Sequence, residues 1–285
     1  MGSSTYRSNY GSRGSLAHPD PPLLSGMMCV MRLLILTPII CRLAAAACSP
    51  IPGDDALWSR PSLRYVIVGE MHGSAETPAI FADLICAAQA SGRTVIVGIE
   101  HIPAEQDAID AFLHATGHDE ARSNLLSLKG WQGTDGRASR AMFGLLESLR
   151  GMRVEVLAFD AGFGLGNAER NRAMADALQA TAHRHAEALI IALTGNIHGS
   201  KKLFAGYAPM AMLLPAAETV SLFVVDRGGQ VWASIDGVDG PHDLKSSGGN
   251  KRGVDLTPTR AYVGGYDGVL STGLPSTASP PLSIR

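Results

Sequence analysis

The sequence predicts an α/β domain with a mainly parallel central sheet, helices on both faces and a short antiparallel strand pair near the C-terminus. Three observations predict it. Short β-branched runs alternate along the chain with segments of helical apolar spacing. Those runs are apolar throughout rather than alternating, as strands covered on both faces are. Polar groups follow the runs, at the edge where parallel sheets take their ligands.

In order, residues 64–68 read as a strand that ends at Gly69. Thr77-Pro78 starts a helix, with Thr77 as N-cap and Pro78 at the first helical position. Ile80, Phe81, Leu84, Ile85 and Ala88 share its apolar face, and Gly92 stops it. Residues 94–99 form a second strand, closed by Glu100, and Pro103 opens a helix carrying Ile109, Phe112 and Leu113. Residues 129–139, Arg137 among them, read as a loop before a helix marked by Met142, Phe143, Leu145, Leu146 and Leu149. A third strand, 153–159, ends in Asp160. A glycine-rich turn then leads to Asn167, an expected N-cap, and to a long helix reaching about residue 187. Residues 189–193 are the fourth strand, ending at Thr194-Gly195-Asn196, and residues 210–214 suit a short helix. Residues 219–225 and 230–235 read as a terminal strand pair around Arg227-Gly228-Gly229. One domain over 60–235 is expected, followed by an irregular Gly-, Ser- and Pro-rich segment, 236–285.

Two segments precede the domain. Residues 1–30 are mostly polar and without helical period, the pattern of a disordered stretch or of a start codon set too early; Met27, Met28 and Met31 are alternative starts. Residues 31–48 combine a basic start, a short apolar run and small residues before a cut point, as a secretory signal does. The run is too short to span a bilayer. Ala45-Ala46-Ala47-Cys48 resembles a lipoprotein box that would make Cys48 a lipidated first residue; ordinary cleavage among the same alanines is the other reading. The expected location is the periplasm or the outer membrane, with membrane contact only through that anchor. Cleavage would leave Cys86 as a lone, buried thiol. A formal net charge of −2 lacks the basic excess of a nucleic-acid binder.

The polar groups at the strand ends are the candidate site. Glu70 and His72 follow the first strand, Glu100 the second, Asp160 the third, and Asn196 and His198 the fourth. Carboxylates beside imidazoles fix the ring tautomer and stabilise the imidazolium. Asn196, Asp160, Asn171 and Arg137 are candidate substrate-binding residues, although a lone Asp after a strand is commonly a turn residue. Glu76 is either a member of the carboxylate group or a favourable charge at a helix start. His101 is read as structural. Gly162-Phe163-Gly164-Leu165-Gly166 lies between a strand and a helix, but a dinucleotide loop would need glycine where Asn167 stands.

Gly69-Glu70-Met71-His72 and Gly195-Asn196-Ile197-His198 form a pair of Gly-x-x-His motifs separated by most of the domain. This pair resembles the mark of a superfamily that joins erythromycin-esterase-like hydrolases, ChaN-like haem-binding lipoproteins and the Tiki and TraB proteases. Residues 69–76 resemble the esterase version in particular. Glu100 matches as well, and Arg170-Asn171-Arg172-Ala173-Met174-Ala175 is similar to an Arg-Asp-x-x-Met-Ala pattern, with Asn171 in place of the aspartate. The resemblance implies a hydrolase of esters or amides. In it His72 would activate water, Glu70, Glu76 or Glu100 would orient it or handle the second proton, and Arg170 would stabilise the oxyanion, while His198 and Asn196 complete the pocket. A metal-dependent version would use His72, His198 and Glu100 as ligands of a divalent ion. The alternative is a haem-binding lipoprotein, with His72, His198, Tyr207, Tyr262 or Tyr266 as the axial group. The implied partner is a small-molecule or peptide substrate, or haem.

Overall fold

The computed structural model describes residues 48–162, 164–257 and 264–282, so the expected signal segment lies outside the described residues apart from Cys48, as does Tyr262. Along the chain run α1 (Asp55–Trp58), β1 (Tyr65–Glu70), α2 (Glu76–Ala90), β2 (Thr94–Ile99), α3 (Gln106–His114), α4 (His118–Leu126) and α5 (Arg140–Met152). There follow β3 (Glu155–Ala158), α6 (Asn167–Arg184), β4 (Ala188–Gly195), α7 (Asn196–Gly199), α8 (Met210–Leu213), β5 (Thr219–Val225), β6 (Gly229–Ile235), β7 (Val238–Leu244), β8 (Gly253–Asp255) and β9 (Gly268–Ser271).

Seven strands form one sheet in the order β3-β2-β4-β1-β5-β9-β8, parallel except for β8 against β9. Both faces are covered, which is why the strands are apolar without alternation. Val66 and Val68 of β1 pack with Phe81, Leu84 and Ile85 of α2. Tyr65 and Ile67 face the other way, onto Met174 and Leu178 of α6. The two cores are thus separated by the sheet, and the strand ends are free of core packing duty.

The antiparallel pair near the C-terminus is present, but its members are β6 and β7, with Ile235 opposite Val238. β5 is instead a strand of the main sheet, parallel to β1, and does not pair with β6 as the sequence suggests. A run apolar on both faces, as β5 is (Val220, Leu222, Val224 and Val225 are all buried), belongs inside a sheet rather than in an exposed ribbon. The segment expected to be irregular likewise contributes β7, β8 and β9. β8 is three residues long and β9 four, too short for periodicity to register.

Helix starts differ in detail. α2 begins at Glu76, and its first turn is capped by the Ser74 hydroxyl, which accepts from the Thr77 N–H at 3.2 Å. Thr77 is therefore inside the helix and not its cap. Gly166 is the N-cap of α6, with Asn167 as the first helical residue. α4 is absent from the sequence reading because its surface is polar and only Leu125 is buried.

Cys86 is not a lone thiol. It forms a disulfide with Cys48 across a sequence separation of 38 residues, joining α2 to the start of the described chain. A sulfur in a disulfide cannot also carry a thioether-linked lipid, so this structure corrects both the unpaired reading of Cys86 and the lipidated reading of Cys48. Closing a loop of this length restricts the unfolded chain by about 2–4 kcal/mol. Cys86→Ser is expected to lose about that much in urea unfolding, and reduction of the wild type should produce the same shift.

Candidate active site

The strand order places the site. β3, β2, β4 and β1 are consecutive neighbours in the sheet. Asp160, Glu100, Gly195 and Glu70, which end or follow those strands, therefore stand in a row at intervals of about 5 Å. Residues spread over more than a hundred positions of sequence become adjacent because β4 enters between β1 and β2.

Glu100 is the hub. One carboxylate oxygen, Oε2, accepts from the Thr194 hydroxyl and from the Gly195 N–H, both at 2.6 Å. The other, Oε1, accepts from Arg170 Nη2 at 2.9 Å, with Arg137 Nη1 at 3.6 Å. Burial works against its charge, but the neighbouring His72 and His198 and the Thr194 and Gly195 donors hold its pKa down to about 2. Two imidazoles address this one carboxylate: His72 Nε2 lies 3.7 Å from Oε2 and His198 Nε2 lies 3.9 Å from Oε1.

Each histidine is oriented from behind by a different group. His72 Nδ1 is 2.9 Å from Glu70 Oε1, and Glu70 is 3% exposed. Burial disfavours the imidazolium, but the hydrogen bond to Glu70 and the charges of Glu100 and Glu70 outweigh it, so the pKa of His72 is raised. Burial also raises that of Glu70. His198 Nδ1 is 2.8 Å from Asn171 Oδ1, an uncharged partner. Burial pushes the pKa of His198 down, Arg170 adds to this, and Glu100 only partly opposes it.

The glycines of the two motifs are required by close approach. A side chain at Gly195 would sit 3.1 Å from His72 Nε2. At Gly69 a Cβ would fall on the Tyr266 hydroxyl, which donates to the backbone carbonyl of Asn196. Tyr266 is so enclosed that burial raises its pKa.

The remaining predicted residues divide clearly. Asp160 is fully buried and accepts from Arg170 Nε and Nη2, both at 2.7 Å, from Arg137 Nη1 at 3.2 Å and from Gly162 N–H at 3.0 Å. It anchors arginines and has no surface for a substrate. Asn171, also fully buried, is likewise behind the site and not a substrate contact. Arg170 joins Asp160 to Glu100, and Arg137, with a side chain 15% exposed, is itself paired with Asp135 through Nε at 2.9 Å and with Asp160 through Nη1 at 3.2 Å. Asn196 lies at the rim, its amide 3.2 Å from Met71 Sδ. Glu76 is apart from the group: its carboxylate accepts from the Thr277 N–H at 2.7 Å and ties α2 to the C-terminal segment.

Thr194 and the Gly195 N–H were not singled out in the sequence as partners of Glu100. Their signal was present in the second Gly-x-x-His motif, whose glycine leaves a backbone donor bare. His101 is structural, as the sequence suggests, and its buried partner beneath the site is Glu105, which the sequence does not single out. His101 Nδ1 is 2.8 Å from Glu105 Oε2, its ring is stacked on Trp131 at 4.5 Å, and Nε2 is 3.4 Å from the Arg137 carbonyl. Glu105 also accepts from the Gly130 N–H at 2.8 Å, so this pair holds the loop that presents Arg137.

The residues do not fit a resident metal ion. Every oxygen of Glu100 is already turned to a donor, and two guanidiniums stand where a cation would be repelled. Among the described residues no group of three or more His, Cys, Asp or Glu side chains is arranged to hold one. An axial haem ligand needs an apolar wall, but His72 and His198 are surrounded by carboxylates and guanidiniums. No described helix is long and apolar enough to cross a membrane.

No family model and no curated protein matches the chain. Solved structures do. A mutant of the erythromycin esterase EreC in its open conformation aligns with a TM-score of 0.57 at 11% identity, covering 79% of this chain and 93% of that one. A Bacillus cereus protein aligns with a TM-score of 0.49 at 12% identity, over 77% of this chain and 90% of that one. This chain therefore shares the fold of that erythromycin esterase structure.

Proposed function

We propose that this protein is an exported hydrolase that cleaves a carboxylic ester or amide with a water activated between His72 and His198. The observation that carries this reading is the convergence of both Nε2 atoms on the ionised Glu100, at 3.7 and 3.9 Å. Both rings are partly exposed (22% and 13% by side chain), so a substrate can reach them, while Glu70, Glu100 and Asp160 stay beneath.

The chemistry follows from that layering. Two imidazoles on one side of a bound carbonyl provide one proton acceptor and one donor. Glu100 stays charged and keeps both rings turned inwards without competing as a base. Of the two guanidiniums Arg137 is the more exposed, and its Nη1 edge, opposite the one bonded to Asp135, supplies positive charge for the developing oxyanion. Arg170 secures the carboxylates from below. The donor set asks for no metal. Export is supported by the Cys48–Cys86 disulfide, a bond that persists in oxidising compartments.

The test is turnover of a panel of aryl and alkyl esters and anilides by purified protein, with and without EDTA, beside a haemin titration. Hydrolysis of at least one ester, unchanged by EDTA, is expected. Inertness across the panel together with a saturable Soret band would replace this reading with haem binding, and a reversible loss in EDTA would replace it with metal catalysis.

A further inference from the structure

We propose that Asn171 is a positioning residue that holds His198 as the neutral, Nδ1-protonated tautomer, making His198 Nε2 the atom that takes the proton from water while His72 serves as the acid. This rests on the hydrolytic reading above and deepens it. It also reverses the role that the superfamily resemblance implies for His72.

The hydrogen bonds around Asn171 determine its orientation. Its Nδ2 donates to the Asn167 carbonyl at 2.8 Å, one turn back along α6. Its Oδ1 accepts from the Met210 backbone N–H at 2.8 Å. Exchanging O and N in the amide would set an NH₂ against the Met210 N–H and a carbonyl oxygen against the Asn167 oxygen, in a fully buried place where each lost bond is costly. The oxygen is therefore the atom that meets His198 Nδ1, at 2.8 Å. An amide oxygen only accepts, so Nδ1 must carry a proton. In the neutral ring that leaves Nε2 as a lone pair aimed into the site.

The charges facing His198 leave it neutral. Glu100 on the β2 side and Asp160 on the β3 side favour the imidazolium, and Arg170 on α6 and a protonated His72 on the β1 side oppose it, with burial deciding the balance towards the neutral ring. His72 is biased the opposite way, because its Nδ1 partner is the carboxylate of Glu70. Two like groups driven apart by different partners are the arrangement that separates an acid from a base. An aspartate at position 171, as in the pattern this segment resembles, would lack that asymmetry.

The step balances as follows. Water loses a proton to His198 Nε2 as its oxygen bonds to the carbonyl carbon. The carbon–oxygen bond to the leaving alkoxide then breaks, and that alkoxide takes the proton of His72 Nε2. Acid and alcohol are released. Transfer of the proton from His198 back to His72, both of which face Glu100, restores the starting state.

The experiment is a two-bond ¹H–¹⁵N correlation spectrum of the full domain labelled with ¹⁵N-histidine, followed through pH. His198 is assigned by the resonances missing in His198→Gln. The expected wild-type result is a neutral Nδ1–H ring at pH 7 that titrates below 6.5, with His72 titrating above it. Asn171→Asp should raise the His198 midpoint by a unit or more, and Asn171→Ala should yield a mixture of tautomers. An Nε2–H tautomer in the wild type, an imidazolium at pH 7, or an unmoved midpoint in a folded Asn171→Asp would each overturn the proposal. The wild-type spectrum decides the tautomer even if neither variant folds. With an active ester, the rate should be flat around neutrality and fall on both sides, with the acid limb moved upward by Asn171→Asp; unchanged limbs would also count against it. Inertness towards all esters sinks the hydrolase reading and the assignment of acid and base with it, and is told apart from a wrong tautomer by the spectrum.

Discussion

Arg170→Met should unfold about 3–5 kcal/mol more easily than the wild type, the cost typical of breaking a buried ion pair from one side. The side chain is 10% exposed and its two partners are buried more deeply. Removing the guanidinium leaves Asp160, with no solvent access at all, dependent on Arg137 Nη1 at 3.2 Å and the Gly162 N–H. It also takes the 2.9 Å bond from Glu100. Methionine fills much the same volume, so the loss is electrostatic and not a cavity effect. Urea unfolding at pH 7 measures it. Glu100, held near a pKa of about 2, contributes stability that is present above the ordinary value of 4.5 and is lost as pH falls towards 2. The variant should accordingly lose stability at a higher pH than the wild type does. Equal stability of the two proteins would show that the ion pairs of Arg170 make no net contribution to folding.

His72→Ala should reduce ester turnover on the order of 10²–10⁴-fold, the range expected for loss of a positioned acid or base. The fold should survive. His72 follows β1 rather than lying within it, and its side chain is partly solvent-exposed. Its loss leaves Glu70 without its imidazole partner, in a buried place that already favours the protonated form of that carboxyl. Rates on the most reactive ester of the panel, with circular dichroism as the check on folding, test this. Full turnover in a folded His72→Ala would remove the two-histidine site from consideration.

The sheet and its edge were legible because they rest on local rules. β1, β2 and β4 are continuous apolar runs with a glycine or carboxylate at the end, and such runs have few alternatives. Knowing that ligands gather beyond parallel strands was enough to bring Glu70, His72, Glu100 and His198 together on paper. Depth was not legible. Nothing in the identities of Asp160 and Asn171 distinguishes a residue that touches substrate from one that braces the residue that does. That difference is set by α6, which lays Arg170 and Asn171 under the sheet edge. Strand partnership was also beyond reach for β5 and β6, since an adjacent pair in sequence is the default expectation and the fold exchanged it for β1–β5 and β6–β7. The Cys48–Cys86 bond is not legible because the alanines before Cys48 point to a different chemistry for its sulfur.

The position of β4 between β1 and β2 has a consequence for how the protein is made. A ribosome adds about 5–20 residues per second, so β1 and β2 emerge many seconds before the strand that must lie between them. During that interval β1 has neither of its final neighbours, β4 and β5, and β2 has only β3, so the nascent chain has no complete sheet to collapse into. It also means that the Glu100 carboxylate has no Thr194 or Gly195 to hold it until β4 arrives.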